Sequence, residues 1–312
     1  MQKICNFDIV INKCLWGVNQ ESTTPDLDKN DFLLSVINGF EDGKWRKSEF
    51  RKFIFDNIAQ TGLSAEERDN LYSKSPYTSL TESIKNLRLV DKDNGKGSEI
   101  AEIVLYGIMR YHYHALPVVP KIFYKQNPND NAKGADSVHI VLDDQGDFSL
   151  WLGEAKFYND IADERLYDPI KSVFDTISTD RIKKENSIIT NIRDLEYVII
   201  DPNVRKKVQT ILRRDTSIDE IRKRLHVPVL LLHECSKTNK ATELTEAYLN
   251  DIKEYHLNRA QKYFESQNNK QKKENIHGYE HIQFHLILFP VPQKKDIVNW
   301  FVERAKQIKE DA

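Results

Sequence analysis

The sequence predicts an α/β fold, a mixed sheet flanked by helices, preceded by a mostly helical N-terminal region. The most apolar stretches, Val227–Leu232 and Phe284–Val291, are short and rich in branched residues, which is typical of buried strands. From residue 99 onward, segments with helical spacing alternate with segments of strand character, an order that favours an α/β fold. A short turn at 143–147 lets two of these strands run antiparallel, so the predicted sheet is mixed.

Length and composition exclude several classes of protein. The chain has 312 residues, of which 39% are hydrophobic, so it can bury a large core and is too apolar to be disordered. Its 46 basic and 48 acidic residues leave a net charge of −2, which by itself gives no sign of a nucleic-acid partner. The apolar stretches are too short to span a membrane, so we expect no membrane association.

The N-terminus and the cysteines indicate the compartment. The first residues, MQKICNFDIVINKCLW, lack the basic start, the apolar block and the cleavage site of a signal peptide. An odd count of three cysteines, namely Cys5, Cys14 and Cys235, is typical of a reducing environment. We therefore expect a cytoplasmic protein.

Residues 1–95 are expected to form an N-terminal region with a structural or partner-binding role. An alternation of apolar and polar residues over Ile4–Val10 predicts a strand. Capping boxes that begin at Ser64 and Ser79 predict two helices, and a further helix is predicted to begin near Ser48. Another helix is predicted from the spacing of five apolar residues, namely Phe32, Leu33, Val36, Ile37 and Phe40.

The glycine-rich, charged segment Asp91–Ser98 predicts a boundary, and residues 96–312 are expected to form the main domain. Strong apolar character predicts a helix at Glu99–His112. Three strands are predicted to follow, at Val118–Lys125, Ala135–Leu142 and Phe148–Phe157. The rest is predicted to alternate: a helix from Asp168, a strand at Val198–Ile200, a helix from Ser217, a strand at Val227–Leu232, a helix at Ala241–Phe264, a strand at His281–Phe289 and a helix at Asp296–Lys309.

Three charged residues on two neighbouring predicted strands are the candidate catalytic residues. Residues two apart in a strand point to the same face, so Glu154 and Lys156 project together. Asp136 stands near the start of the preceding strand, where its carboxylate can approach Glu154 if the strands pair. Two adjacent carboxylates are stable as a charged pair only with a cation between them, and their oxygen atoms suit Mg²⁺. With a lysine beside them, these groups are the parts for metal-assisted phosphodiester hydrolysis.

The pattern of an acidic residue, any residue and a lysine is weak by itself, because it occurs three times in the chain. Asp42-Gly-Lys44 falls in a predicted turn and Asp251-Ile-Lys253 on a charged helix, so solvation explains both. Glu154-Ala-Lys156 lies inside an apolar strand, where burial of charge is costly unless the groups are paired or bind an ion. A structural ion pair between Glu154 and Lys156 is the alternative to a metal site.

Three motifs together resemble the PD-(D/E)xK nuclease superfamily: Glu99-Ile-Ala-Glu102 on a helix, Gly134-Ala-Asp136 at a strand start and Glu154-Ala-Lys156 on the next strand. The stretches GSEIAEIVLY, VVPKIFYK, KGADSVHIVL and LWLGEAKFY are similar to the HamA family, the nuclease subunits of the bacterial Hachiman anti-phage system, and to the related AbpA proteins. The resemblance implies a restriction-endonuclease-like fold and a Mg²⁺-dependent DNA endonuclease, with Mn²⁺ as a substitute. It also implies a partner, a HamB-like superfamily 2 helicase that restrains the nuclease until it acts on phage or damaged DNA.

The resemblance also implies a role for each matching position. Asp136 and Glu154 would bind the metal, and Lys156 would position the attacking water. A carboxylate from the preceding helix would complete the site, and both Glu99 and Glu102 are candidates, because residues three apart lie near one face of a helix. Glu99 is in addition the candidate third metal ligand.

Basic residues near the site and in a later stretch are the candidate DNA contacts. Lys125 and Lys133 flank the predicted site strands, and Arg213 and Arg214 belong to the locally basic stretch Arg205–Arg224. Phosphate contacts need only positioned cations, so a track for the DNA backbone is one interpretation of these residues. Ordinary solvated side chains are the other.

Two other functions are compatible with the sequence. A nuclease fold can serve as a non-catalytic module that binds the helicase or DNA. A restriction-type enzyme with its own sequence specificity would need an element that reads base edges, and the sequence offers no clear one. The chain has no G-x-x-x-x-G-K-[ST] motif, so any use of ATP is expected to belong to a partner.

Overall fold

A computed structural model describes residues 2–15, 30–72, 75–88, 98–125, 134–191 and 193–311. The strands are β1 (Lys3–Ile4), β2 (Phe7–Cys14), β3 (Asp31–Ile37), β4 (Phe40–Glu41), β5 (Lys44–Trp45), β6 (Leu116–Val119), β7 (Ser137–Leu142), β8 (Phe148–Tyr158), β9 (Leu225–Glu234) and β10 (Gln283–Val291). The helices are α1 (Lys47–Gly62), α2 (Ala65–Tyr72), α3 (Pro76–Lys85), α4 (Ser98–His112), α5 (Lys121–Tyr124), α6 (Tyr167–Thr176), α7 (Thr179–Asn191), α8 (Asp194–Val198), α9 (Pro202–Ile211), α10 (Ile218–Arg222), α11 (Ser236–Lys240), α12 (Glu246–Glu274) and α13 (Lys294–Glu310). Within these described ranges, none of the helices has both the length and the apolar character needed to cross a membrane.

Eight strands form one mixed sheet in the order β1-β2-β3-β10-β9-β8-β7-β6. The four central strands, β3, β10, β9 and β8, run parallel, whereas the strands toward each edge run antiparallel to their neighbours. The predicted α/β class with a mixed sheet is therefore confirmed, and it is compatible with a nuclease-like fold. Strands β4 and β5 form a separate hairpin, whose turn residues Asp42 and Gly43 both have positive φ angles (49° and 69°), as a two-residue hairpin turn requires.

Helices cover both faces of the sheet. On one face, α1, α3, α4 and α13 pack against apolar side chains of the central strands, such as Leu230 and Ile287. On the other face, α6, α7 and α12 pack against the alternate residues of the same strands, such as Leu231 and Leu288. The central parallel strands are therefore buried on both sides, which explains their nearly continuous apolar runs.

The helix predicted around Phe32 and Ile37 is wrong, because this segment forms strand β3. Six of its seven residues are buried. A strand buried on both faces shows no two-residue alternation, so its apolar residues fit a helical spacing equally well. β3 pairs with β10, from Asp31 opposite Phe284 onward, so residues 1–95 contribute strands to the main sheet. The predicted boundary segment, 91–98, lies outside the described residues except for its last position.

Two other predicted strands differ from the structure. The strand expected over 118–125 ends at Val119, and α5 follows directly after Pro120. Proline lacks a backbone N–H and has a fixed φ angle, so it is suited to the position where a strand gives way to a helix. The strand predicted at 198–200 is absent from the described chain, because Val198 is the last residue of α8.

Candidate functional site

The antiparallel pairing of β7 and β8 positions the first strand carboxylate. Ser137 at the start of β7 lies opposite Gly153 of β8, and the backbone N–H of Asp136 donates a hydrogen bond to the carbonyl of Gly153 (2.8 Å). The Oδ2 atom of Asp136 accepts a hydrogen bond from the backbone N–H of Ala155 (3.1 Å). Glycine is required at position 153, because a Cβ atom there would overlap the hydroxyl oxygen of Ser137. The pairing therefore holds the Asp136 carboxylate against β8.

Lys156 lies between the two strand carboxylates. Its Nζ atom is 3.4 Å from Asp136 Oδ2 and 3.4 Å from Glu154 Oε2. The other oxygen of Glu154, Oε1, accepts a hydrogen bond from the hydroxyl group of Thr176 at the end of α6 (2.8 Å). The structure thus brings Asp136, Glu154 and Lys156 together on one face of the strand pair. Thr176 was not singled out in the sequence, because nothing in its local pattern marks it.

A helix carboxylate and a second lysine extend this group. Glu102 on α4 is only 5% exposed, and both of its oxygens accept hydrogen bonds from Nζ of Lys125 (2.9 and 3.0 Å). The same Nζ atom lies 3.6 Å from Asp136 Oδ1. Glu99, one turn earlier, accepts a hydrogen bond from the backbone N–H of Arg88 (2.9 Å). Of the two glutamates, Glu102 is thus joined to Asp136 through Lys125. We refer to the following five residues as the acid–lysine cluster: Glu102, Lys125, Asp136, Glu154 and Lys156.

The acid–lysine cluster contains three carboxyl groups and two lysines, and the three carboxyl groups differ in pKa. Burial, together with the neighbouring Asp136, raises the pKa of Glu154 to about 8. Burial also raises the pKa of Glu102 to about 7, although Lys125 opposes the change. For Asp136, burial is outweighed by Lys125 and Lys156, which hold its pKa below the ordinary value. The two lysines therefore stabilise the ionised form of Asp136, whereas burial favours the protonated form of the two glutamates.

The donor atoms of the acid–lysine cluster fit a divalent cation. Mg²⁺ prefers oxygen ligands and is commonly bound by one or two protein carboxylates together with waters. Asp136 and Glu154 supply two carboxyl groups from adjacent strands, and a divalent cation there would stabilise the ionised form of Glu154, which burial disfavours. Among the residues that the structure describes, no group of three or more His, Cys, Asp and Glu side chains is arranged to hold a metal ion.

A comparison with known families extends the resemblance seen in the sequence. The HamA family model matches residues 12–305 of this chain. The chain belongs to the HamA family. It is therefore a component of Hachiman anti-phage defence. The match includes every residue of the acid–lysine cluster, and a comparison with curated proteins found no further match.

In this HamA-family protein, two further residues support the backbone just before Asp136. Neither was identified from the sequence. Lys121 and Glu185 form an ion pair of 2.7 Å, in which their side chains are 0% and 1% exposed. The second oxygen of Glu185 accepts a hydrogen bond from the backbone N–H of Ala135 (3.0 Å), and a Cβ atom on Gly134 would overlap it. The only local signal was a lysine inside the apolar stretch VVPKIFYK, since Glu185 lies on α7, far along the chain.

The predicted DNA contacts fall in different places. Lys125 belongs to the acid–lysine cluster, and Lys133 lies outside the described residues. Arg213 and Arg214 are exposed just after α9, and the guanidinium group of Arg214 donates a hydrogen bond to Ser187 Oγ (3.1 Å). The role of these residues as DNA contacts stays a prediction.

Proposed function

We propose that this protein is a metal-dependent DNA endonuclease, the effector of its defence system, and that it acts with a HamB-like superfamily 2 helicase that restrains it. The observation that carries the proposal is the position of Lys156, whose Nζ atom is 3.4 Å from carboxylates on two neighbouring strands. An acid pair with an adjacent lysine is the minimal set for metal-assisted phosphodiester hydrolysis. The helicase partner is supported by family membership alone.

Each residue of the site has a physical role in this proposal. Asp136 and Glu154 would hold Mg²⁺, or Mn²⁺ in its place, and the ion when bound supplies Lewis-acid activation of water and phosphate. The hydroxyl group of Thr176 and the N–H of Ala155 orient the two carboxylates. Although burial opposes it, Asp136 and Glu154 raise the pKa of Lys156, so its ammonium group stays charged and can hold a water or stabilise charge that develops on the phosphate.

Cleavage of plasmid DNA in Mg²⁺ or in EDTA tests the proposal, with the wild type and two lysine variants. Lys156→Ala is expected to slow Mg²⁺-dependent cleavage by roughly 10²–10³-fold, because one preorganised charge at the reacting group is removed. Lys253→Ala is the matched control. It lies in the same acid-x-lysine pattern, but on an exposed position of α12, and it is expected to cleave like the wild type.

The assay includes the chain alone and the chain with its helicase, because a restrained nuclease can be silent. Equal cleavage by the wild type and by Lys156→Ala would place the active site elsewhere. Absence of Mg²⁺-dependent cleavage under both conditions would favour the alternative function, a nuclease fold that binds the helicase or DNA without cutting.

A further inference from the structure

The two lysines of the acid–lysine cluster are held by different contacts. Lys125 Nζ touches three carboxylate oxygens: both oxygens of Glu102, at 2.9 and 3.0 Å, and Asp136 Oδ1, at 3.6 Å. Lys156 Nζ is 3.4 Å from one oxygen each of Asp136 and Glu154. Asp136 therefore gives one oxygen to each lysine, and carboxyl groups alternate with lysines in one row from Glu102 to Glu154.

Lys125 occupies a place that suits a divalent cation. Its Nζ atom lies where a carboxylate from helix α4 meets a carboxylate from the start of strand β7. A position surrounded by carboxylate oxygens from separate elements has the ligand chemistry that Mg²⁺ and Mn²⁺ prefer. As long as the ammonium group remains there, Glu102 is kept from sharing a cation with Asp136.

The backbone next to Lys125 is fixed, whereas its side chain has a route to solvent. Lys125 follows the one-turn helix α5, and its backbone N–H donates to the carbonyl of Lys121 (2.9 Å). Lys121 is itself held by the buried ion pair with Glu185. The side chain of Lys125 is 23% exposed, and lysine has a flexible four-carbon stem, so the ammonium group can leave while the turn stays in place.

We propose that Lys125 is a removable counter-ion, which fills the cation position between Glu102 and Asp136 in the metal-free protein and leaves it when a divalent cation binds. The inference rests on the proposed metal-dependent function and adds a control step to the same site. Glu102 becomes available to the metal only after Lys125 has moved. The lysine that follows a one-turn helix thereby sets the affinity of the site for its metal.

The first test measures how readily individual lysines of the wild-type chain are methylated by formaldehyde with a borane reductant, in EDTA and in saturating Mg²⁺. Labelling of Lys125 is expected to rise several-fold in Mg²⁺, because its Nζ atom is released from carboxylate acceptors into solvent. Labelling of Lys253, an exposed lysine on α12, is expected to be the same in both conditions. Unchanged or reduced labelling of Lys125 in Mg²⁺ overturns the proposal, and this test needs no variant to fold.

The second test measures Mn²⁺ binding from the electron paramagnetic resonance signal of the free ion, and it does not depend on cleavage. Lys125→Met is expected to bind Mn²⁺ roughly tenfold more tightly than the wild type, because a competing positive charge is removed. Asp136→Asn is expected to bind far more weakly, and Lys253→Met is expected to match the wild type.

The outcomes of the second test separate the two proposals. If Asp136→Asn loses affinity but Lys125→Met binds Mn²⁺ no more tightly than the wild type, the role of Lys125 is wrong and the metal-dependent function stands. If none of the four proteins binds Mn²⁺, the proposed metal dependence fails and the inference about Lys125 fails with it.

Discussion

Two buried groups of acids and lysines lie next to each other in this protein, and they differ in charge balance. Lys121 and Glu185 form a pair with one charge of each sign, a distance of 2.7 Å and almost no exposure. The acid–lysine cluster has three carboxylates and two lysines, joined by contacts of 2.9 to 3.6 Å, and its lysine side chains are 23% and 27% exposed. The two groups share the segment around Asp136, since Glu185 binds the backbone of Ala135.

The two groups differ in how their buried charges are compensated. In the balanced pair, each charge has its partner, so the desolvation cost is offset inside the protein. In the acid–lysine cluster, burial raises the pKa of Glu154 to about 8 and that of Glu102 to about 7, so the cost of burying these carboxylates is not fully offset by the two lysines. Raised carboxyl pKa values in a partly accessible position are typical of functional sites, which supports the proposed role of the acid–lysine cluster.

The largest expected effect comes from breaking the balanced pair. Lys121→Met leaves the Glu185 carboxylate buried without its cation, so we expect the free energy of unfolding to fall by about 3–5 kcal/mol. Combining Lys121→Met with Glu185→Gln should recover much of the loss, because glutamine is uncharged and keeps an oxygen for the N–H of Ala135. Urea unfolding compares four proteins: the wild type, Lys121→Met, the double variant and Lys125→Met. A loss for Lys121→Met no larger than that for Lys125→Met, on the same turn, would contradict the comparison.

A smaller effect is expected where the balanced pair supports the site backbone. A Cβ atom in Gly134→Ala would overlap a carboxylate oxygen of Glu185, which Lys121 and the N–H of Ala135 hold in place. We expect a loss of about 1–3 kcal/mol in the free energy of unfolding, and a smaller loss in the Lys121→Met background, where Glu185 can move. Gly39→Ala is the control, because its Cβ would be 3.5 Å from the nearest atom. Equal losses in the free energy of unfolding for Gly134→Ala and Gly39→Ala would show that the Glu185 side chain is free to move away.

The smallest effect concerns the pH dependence of stability in EDTA, which is expected to peak near about pH 6.5. The pKa values of Glu154 and Glu102, raised by burial to about 8 and about 7, lie above the ordinary value of 4.5. The folded protein therefore binds more protons than the unfolded chain, and its stability falls as the pH rises, by on the order of 1–2 kcal/mol between about pH 6.5 and 8. Stability is also lost as the pH falls from about 6.5 toward 4, because burial lowers the pKa of five histidines and these outnumber the two glutamates. The five are His139, His226, His233, His256 and His285.

Urea unfolding at a series of pH values checks this profile and separates its two arms. Glu154→Gln should flatten the decline above about pH 6.5 and make the loss of stability below about pH 6.5 steeper, because the folded wild type keeps the Glu154 proton across the whole range from about pH 4.5 to 8, whereas the unfolded chain releases it. Glu220→Gln, an exposed glutamate paired with Lys223, should change neither arm. If the stability of the wild type instead rises between about pH 6.5 and 8, the glutamates of the acid–lysine cluster are already ionised without a metal.

Part of the site could be predicted because it depends on local spacing. Glu154 and Lys156 share a face of β8 by the two-residue period of a strand, and the short turn at 143–147 led to the pairing that brings Asp136 to them. The choice between Glu99 and Glu102 could not be predicted. Residues three apart lie near one face of a helix, so the packing of α4 beside Lys125 decides between them.

Other parts of the structure could not be predicted from the sequence, for a physical reason. β3 is buried on both faces, so its sequence carries no alternation that separates a strand from a helix. The role predicted for Lys125, a DNA contact, took no account of Glu102, because the two residues meet only when α5 and α4 pack at the same edge of the sheet.

The sequence by itself determined the α/β class, the resemblance to the HamA family and the grouping of Asp136, Glu154 and Lys156, since these follow from short-range patterns and from motifs. The tertiary structure decided which helix glutamate joins the cluster, where Lys125 lies and that Lys121 and Glu185 form a balanced pair. Those contacts join residues that are far apart in sequence, and whether a buried charge has a partner depends on the packing that brings them together.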